Sequence, residues 1–105
     1  MVLMLFHKKL YLDDEISKNK RTIIRKLKHN KLALNVYVMV LAENENEEID
    51  IYPAYVLLQK AYKDRELTVV GLASDMSNSK DLLVKMTEDC IRMTGKVSLK
   101  EYFSI

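Results

Sequence analysis

Leu34-Asn35-Val36-Tyr37-Val38-Met39-Val40-Leu41-Ala42 is nearly all apolar, and it is apolar on both parities of a strand. Leu34, Val36, Val38 and Val40 fall on one face, and Tyr37, Met39 and Leu41 fall on the other. A strand oily on both sides belongs inside a sheet that is covered above and below. The sequence on either side is therefore expected to supply two layers of cover.

Towards the C-terminus, residues 43–48 form a polar, acidic connection, and Ile49-Asp50-Ile51 is short enough for an edge strand. Pro53 suits the first turn of a helix, with Ala54, Leu57, Leu58 and Ala61 sharing a face behind it and Asp64-Arg65 closing it. Leu67-Thr68-Val69-Val70-Gly71-Leu72-Ala73 reads as a second buried strand, rich in β-branched residues. A polar turn over 74–79 leads into a helix whose stripe is Leu82, Leu83, Met86, Cys90 and Met93, with Gly95 as its terminating glycine. Ser98 and Glu101 have the spacing of a capping box, which predicts a short helical turn over 99–103.

Towards the N-terminus, Val2-Leu3-Met4-Leu5-Phe6 predicts a short buried strand. Asp13-Asp14-Glu15 supplies the acids favoured in a first helical turn. Ile16, Ile23, Ile24 and Leu27 share one helical face, and Lys18, Arg21, Arg25 and Lys28 lie roughly opposite. Lys20 falls on the apolar side, so the helix is expected to restart at Asn19, a good N-cap, and to stop at His29-Asn30.

The alternation strand, helix, strand, helix, strand, helix predicts an α/β sandwich of two or three layers. It would contain about three mostly parallel strands, three helices and a short C-terminal helical turn. Residues 34–73 would then form one right-handed β-α-β unit. The competing arrangement is α+β, with an antiparallel pair between 34–42 and 49–52.

The 105 residues, 49% hydrophobic and 30% charged, with two glycines and one proline, suit a single domain spanning 1–105. One cysteine excludes an intramolecular disulfide and a cysteine zinc cage, and it points to a reducing, cytoplasmic home. No stretch approaches the roughly 20 apolar residues of a membrane span, so no membrane is expected as a partner. The net charge of +2 hides a division along the chain. Residues 1–42 hold nine Lys/Arg against three acids, a net of +6, and residues 43–105 hold eight against twelve, a net of −4.

Four features could carry function. The face of Lys18, Arg21, Arg25 and Lys28 has the chemistry to lie on a phosphate backbone or an acidic partner. The acidic stretch of Glu43, Glu45, Glu47 and Glu48 could meet a basic partner or hold a hard cation. Ser74, Ser77, Asn78 and Ser79 precede a helix, whose N-terminus can hold an anion. The loops 43–50 and 74–79 would lie together at the ligand-binding end of a parallel sheet. Tyr52, Tyr55 and Tyr62 surround the second helix and tilt the reading towards protein contact.

Against these stands the absence of a catalytic set. Cys90 sits in a packing stripe, and neither His7 nor His29 has a matched partner in the sequence. No phosphate-loop or dinucleotide motif is present, and no cofactor or metal is expected. The run Ile51-Tyr52-Pro53-Ala54-Tyr55-Val56-Leu57-Leu58-Gln59, followed by Val69-Val70-Gly71-Leu72-Ala73, resembles short uncharacterised bacterial proteins with no assigned function. That resemblance implies a stand-alone domain and brings no activity or functional residue. The expectation is a non-catalytic protein-interaction module that forms a homo-oligomer. A nucleic-acid binder using the first helix is the first alternative, and a small-ligand or cation sensor at the strand ends is the second.

Overall fold

The computed structural model describes residues 2–43, 48–59 and 64–104. Its elements run β1 (Leu3–Leu12), α1 (Asp14–Lys18), α2 (Lys20–Lys28), β2 (Tyr37–Leu41), β3 (Ile49–Pro53), a 3-10 turn (Ala54–Leu58), β4 (Glu66–Ala73), α3 (Met76–Thr94) and α4 (Leu99–Tyr102). The four strands form one mixed sheet in the order β1-β4-β2-β3. β1 and β4 are parallel, whereas β2 runs antiparallel to both of its neighbours, β4 and β3.

The fold is therefore α+β, and the expected three mostly parallel strands are corrected to four strands in a mixed sheet. The competing antiparallel pair is the one that forms, with Met39 opposite Ile51 at its middle. The β-α-β unit fails because the second helix does not form. Pro53 ends β3 in an extended conformation (ψ 135°), and the Ala54 N–H still donates to Val36 O at 2.9 Å. The chain then makes a single 3-10 turn, in which Ala54 and Leu57 are buried; Ala61 and Tyr62 lie outside the described residues. The short link between β2 and β3 returns the chain beside β2 in the opposite sense, with no crossover helix to make the pair parallel.

β2 is shorter than the apolar run, since Asn35 turns the chain at φ 58° and Leu34 is exposed, but residues 37–41 are covered on both faces as their sequence required. Val38 and Val40 pack with Ile16, Leu27, Val69 and Leu72 on the α1/α2 side, and Met39 packs with Val70, Met86 and Cys90 on the α3 side. Strand β4 changes parity on the way. Met39 pairs with Gly71 but Val40 pairs with Val69, so Val70 is an extra residue. The bulge turns both Val70 and Gly71 towards α3. A Cβ at Gly71 would lie 2.9 Å from both Met39 Sδ and Met86 Cε, so those two side-chain ends would have to shift to admit one.

β1 is longer than the apolar run Val2-Leu3-Met4-Leu5-Phe6. Its register jumps from Phe6 opposite Val69 to Tyr11 opposite Gly71. The polar residues His7, Lys8 and Lys9 occupy that irregularity, and the strand resumes at Tyr11 and Leu12. The first helix does break at Asn19, although the Asn19 side chain makes no cap bond. Asn30 closes α2 in the left-handed region (φ 52°), where asparagine is tolerated. Its side-chain amide makes two 2.9 Å bonds to the backbone of Val2, which ties the helix end to the start of β1. Gly95 ends α3 at φ 75°, as its position predicts.

Candidate functional site

The parallel pair β1/β4 brings Asp13 beside Ser74 and Asn78 at its C-terminal end. Asp13 caps α1, its Oδ1 accepting the Ile16 N–H at 2.8 Å. Its Oδ2 accepts the Ser74 N–H at 2.6 Å, the Ser74 hydroxyl at 2.7 Å and the Asn78 side-chain amide at 2.9 Å. Burial opposes ionisation here, but these four donors outweigh it and hold the carboxyl below the usual range. The structure thus supplies an internal anion to the donors that the sequence offered to a phosphate. Of the remaining candidates there, Ser79 is buried and donates its hydroxyl to Asp75 O at 3.0 Å, while Ser77 is exposed.

The described acids of the 43–48 stretch, Glu43 and Glu48, lie at the other end of the sheet, because β2 runs against β4. Tyr37 at the start of β2 stands opposite Ala73 at the end of β4, so the chain leaves these two strands at opposite ends of the sheet, contrary to the parallel-sheet expectation. Glu43 pairs with Arg65 at 3.1 Å, beside the start of β4. The Glu48 carboxylate accepts the N–H groups of Leu99 and Lys100 and so caps α4. Ser98, expected to cap that helix, makes no side-chain capping bond. Glu45 and Glu47 lie outside the described residues, and no group of three or more potential metal ligands occurs among the described ones.

A third polar centre docks the C-terminal segment. The Tyr11 hydroxyl donates to Asp89 Oδ2 at 2.6 Å and lies 2.8 Å from the Tyr102 hydroxyl. Burial, then the bond to Asp89, pushes the Tyr11 phenol far above its ordinary pKa. The Lys9 N–H donates to His7 Nδ1, so the proton of His7 is on Nε2, which donates to Phe103 O at 2.6 Å. Cys90 is buried, its thiol aimed at the carbonyls of Lys96 and Ser98. These groups fasten the chain to itself.

Two surfaces remain open. One is the basic face: Lys18, Arg21, Arg25 and Lys28 are all exposed, with Lys18 paired to Glu15 at 3.2 Å. Shallow concavities of about 290 and 320 Å³ flank Arg25, the first lined by Lys20, Arg21 and Lys28 and the second by Lys26 and Lys31. The other is an apolar groove of about 610 Å³ between the edge strand β3 and α3. Ile49, Ile51, Met76, Leu83, Val97 and Leu99 line it, with Glu48 and Asp50 on its rim. The groove was not expected, although α3 carries a signal for it. Val84 and Ile91, 57% and 46% exposed, are apolar residues outside the core stripe, and Met93, expected within that stripe, is also exposed. Of the tyrosines, Tyr52 is half-buried, Tyr55 is exposed, and Tyr62 lies outside the described residues.

No helix among the described residues is long and apolar enough to cross a membrane. No family model matches this chain, and no curated protein or solved structure shows significant similarity to it.

Proposed function

We propose that this protein is a non-catalytic interaction module that self-associates through the groove between β3 and α3. The observation that carries this reading is the groove itself, apolar along its floor and wall and open to solvent. Exposed apolar surface of this kind marks a contact site.

A second copy fits it because the molecule carries both halves of the contact. Beside the groove, the outer flank of α3 presents Met76, Lys80, Val84 and Ile91 at helical spacings. The groove offers apolar residues between two carboxylates, and the flank offers apolar residues and Lys80, with Glu88 beside Val84 and Ile91 on its margin. In a two-fold pair, each α3 flank would seat in the other copy's groove and bring Lys80 near Asp50. Such an interface is isologous and closes at two copies.

Sedimentation velocity over a concentration series tests the proposal. The expected result is a species of twice the 12.3 kDa chain mass that dissociates on dilution. Val84→Glu with Ile91→Glu should shift it to the monomer while the folded circular-dichroism spectrum is kept. A wild-type monomer at every concentration would refute self-association.

A further inference from the structure

We infer that the outer face of α2 is a binding surface for the phosphate backbone of a nucleic-acid duplex, independently of self-association. Lys20, Arg21, Arg25, Lys26, Lys28 and Lys31 are exposed, and among the described residues none of them has an acidic partner. The helix contains no acid at all. Its like charges at spacings of three and four, Arg21 with Arg25 and Arg25 with Lys28, repel and weaken it. The last-turn cations Arg25, Lys26 and Lys28 recover part of that through the helix dipole. Lys20 and Arg21 do not: they occupy the first turn, where the dipole disfavours positive charge and where no acid stands. Cations kept at a cost to their own helix are explained by an external anion.

The shape selects the anion. Arg21, Arg25 and Lys28 fall on one line and span roughly 10 Å of helix axis. The phosphates of a duplex strand recur every ~3.4 Å along its axis, so three cations in a row on a rigid rod reach a run of them. No aromatic residue occurs in α2, and the neighbouring Phe6 ring of β1 lies under Lys28 Nζ, 5.8 Å from its centroid. The helix itself therefore offers no stacking platform of the kind a single strand requires. The apolar side of the same helix is committed to the core through Leu27, leaving only its charged side for an external surface.

Fluorescence anisotropy of a labelled DNA duplex of about 20 base pairs, titrated with the full chain at several salt concentrations, tests this. Three phosphate contacts predict a log–log salt slope of about −3, which weakens binding about 40-fold between roughly 50 and 200 mM salt. Arg21→Gln with Arg25→Gln should flatten that slope by about 2. Lys8→Gln with Lys85→Gln removes the same charge elsewhere and should leave it unchanged. No binding at low salt, an unaltered slope in the Arg21/Arg25 variant, or an equal loss in the Lys8/Lys85 variant would each overturn the inference. Binding to phosphatidylserine vesicles without binding to the duplex would also overturn it and assign the face to a membrane surface.

Discussion

Four carboxylates of this molecule and the cations along α2 are used differently. Asp13, Glu43, Glu48 and Asp89 each meet a donor or cation of their own chain. Along α2, by contrast, Arg21, Arg25 and Lys28 are exposed and have no acidic partner among the described residues. Those four carboxylates are consumed in holding the fold together, by capping helices, pairing with a cation and anchoring the C-terminal segment. The cations of the helix meet no carboxylate among the described residues, although Lys28 stands over the Phe6 ring, 5.8 Å from its centroid. Opposite charges on separate stretches of sequence therefore need not be two halves of one interface.

Asp13→Ala should have the largest effect on the carboxylate side of that contrast. It deletes an N-cap and strands three further donors, so a loss of about 3 kcal/mol is expected by denaturant melts. The same carboxylate carries a pH signature. Its folded pKa is depressed, so its stabilisation is complete above the unfolded value near 3.9 and is lost as pH falls through the folded one. Between about pH 5 and pH 3, Asp13→Asn should therefore lose less melting temperature than the wild type. An equal loss would show that Asp13 is not the group being titrated.

Tyr11→Phe is expected to cost about 1.5 kcal/mol, because Asp89 loses a partially buried donor and the Tyr102 hydroxyl loses its acceptor. Its phenol is held neutral in the fold, so the wild type should lose stability above about pH 10, where the unfolded phenol ionises and the folded one does not. That alkaline component should shrink in the variant when melts are compared across the range. Glu48→Ala should cost about 1 kcal/mol through loss of the α4 cap. It should also loosen the segment over Cys90, and faster reaction of that thiol with a disulfide reagent would report the opening. An unchanged thiol rate would mean that the cap is not what holds α4 down.

The smallest effect is expected on the other side of the comparison. Arg21→Gln with Arg25→Gln should alter stability by less than about 0.5 kcal/mol, since neither side chain has an acidic partner among the described residues. A clear stabilisation would sharpen the contrast, because it would measure the repulsion relieved within α2. A destabilisation above about 1 kcal/mol would break it by revealing a structural role for those side chains.

Much of the local structure was legible in the sequence. The two-sided apolar pattern of β2 predicted its cover on both faces, and Asn30 and Gly95 marked helix ends through their own backbone chemistry, whereas the helix breaks at Asn19 without the side-chain cap expected there. The second helix was misread because its apolar spacing suited a helix, while Pro53 and the bond from Ala54 to Val36 kept the chain extended. The capping box at Ser98 failed for a related reason: a carboxylate 51 residues from Leu99 in sequence reached the helix end instead.

Periodicity, cap residues and the sorting of charge follow from interactions within a few residues, and the sequence by itself determined those. Strand direction, the bulge at Val70, the seating of Asp13 in the Ser74–Asn78 donors and the groove beside β3 belong to the tertiary structure alone. Each depends on groups far apart in the chain meeting in space, and local patterns are equally compatible with several such meetings. The packing of both faces of the sheet selects one of them.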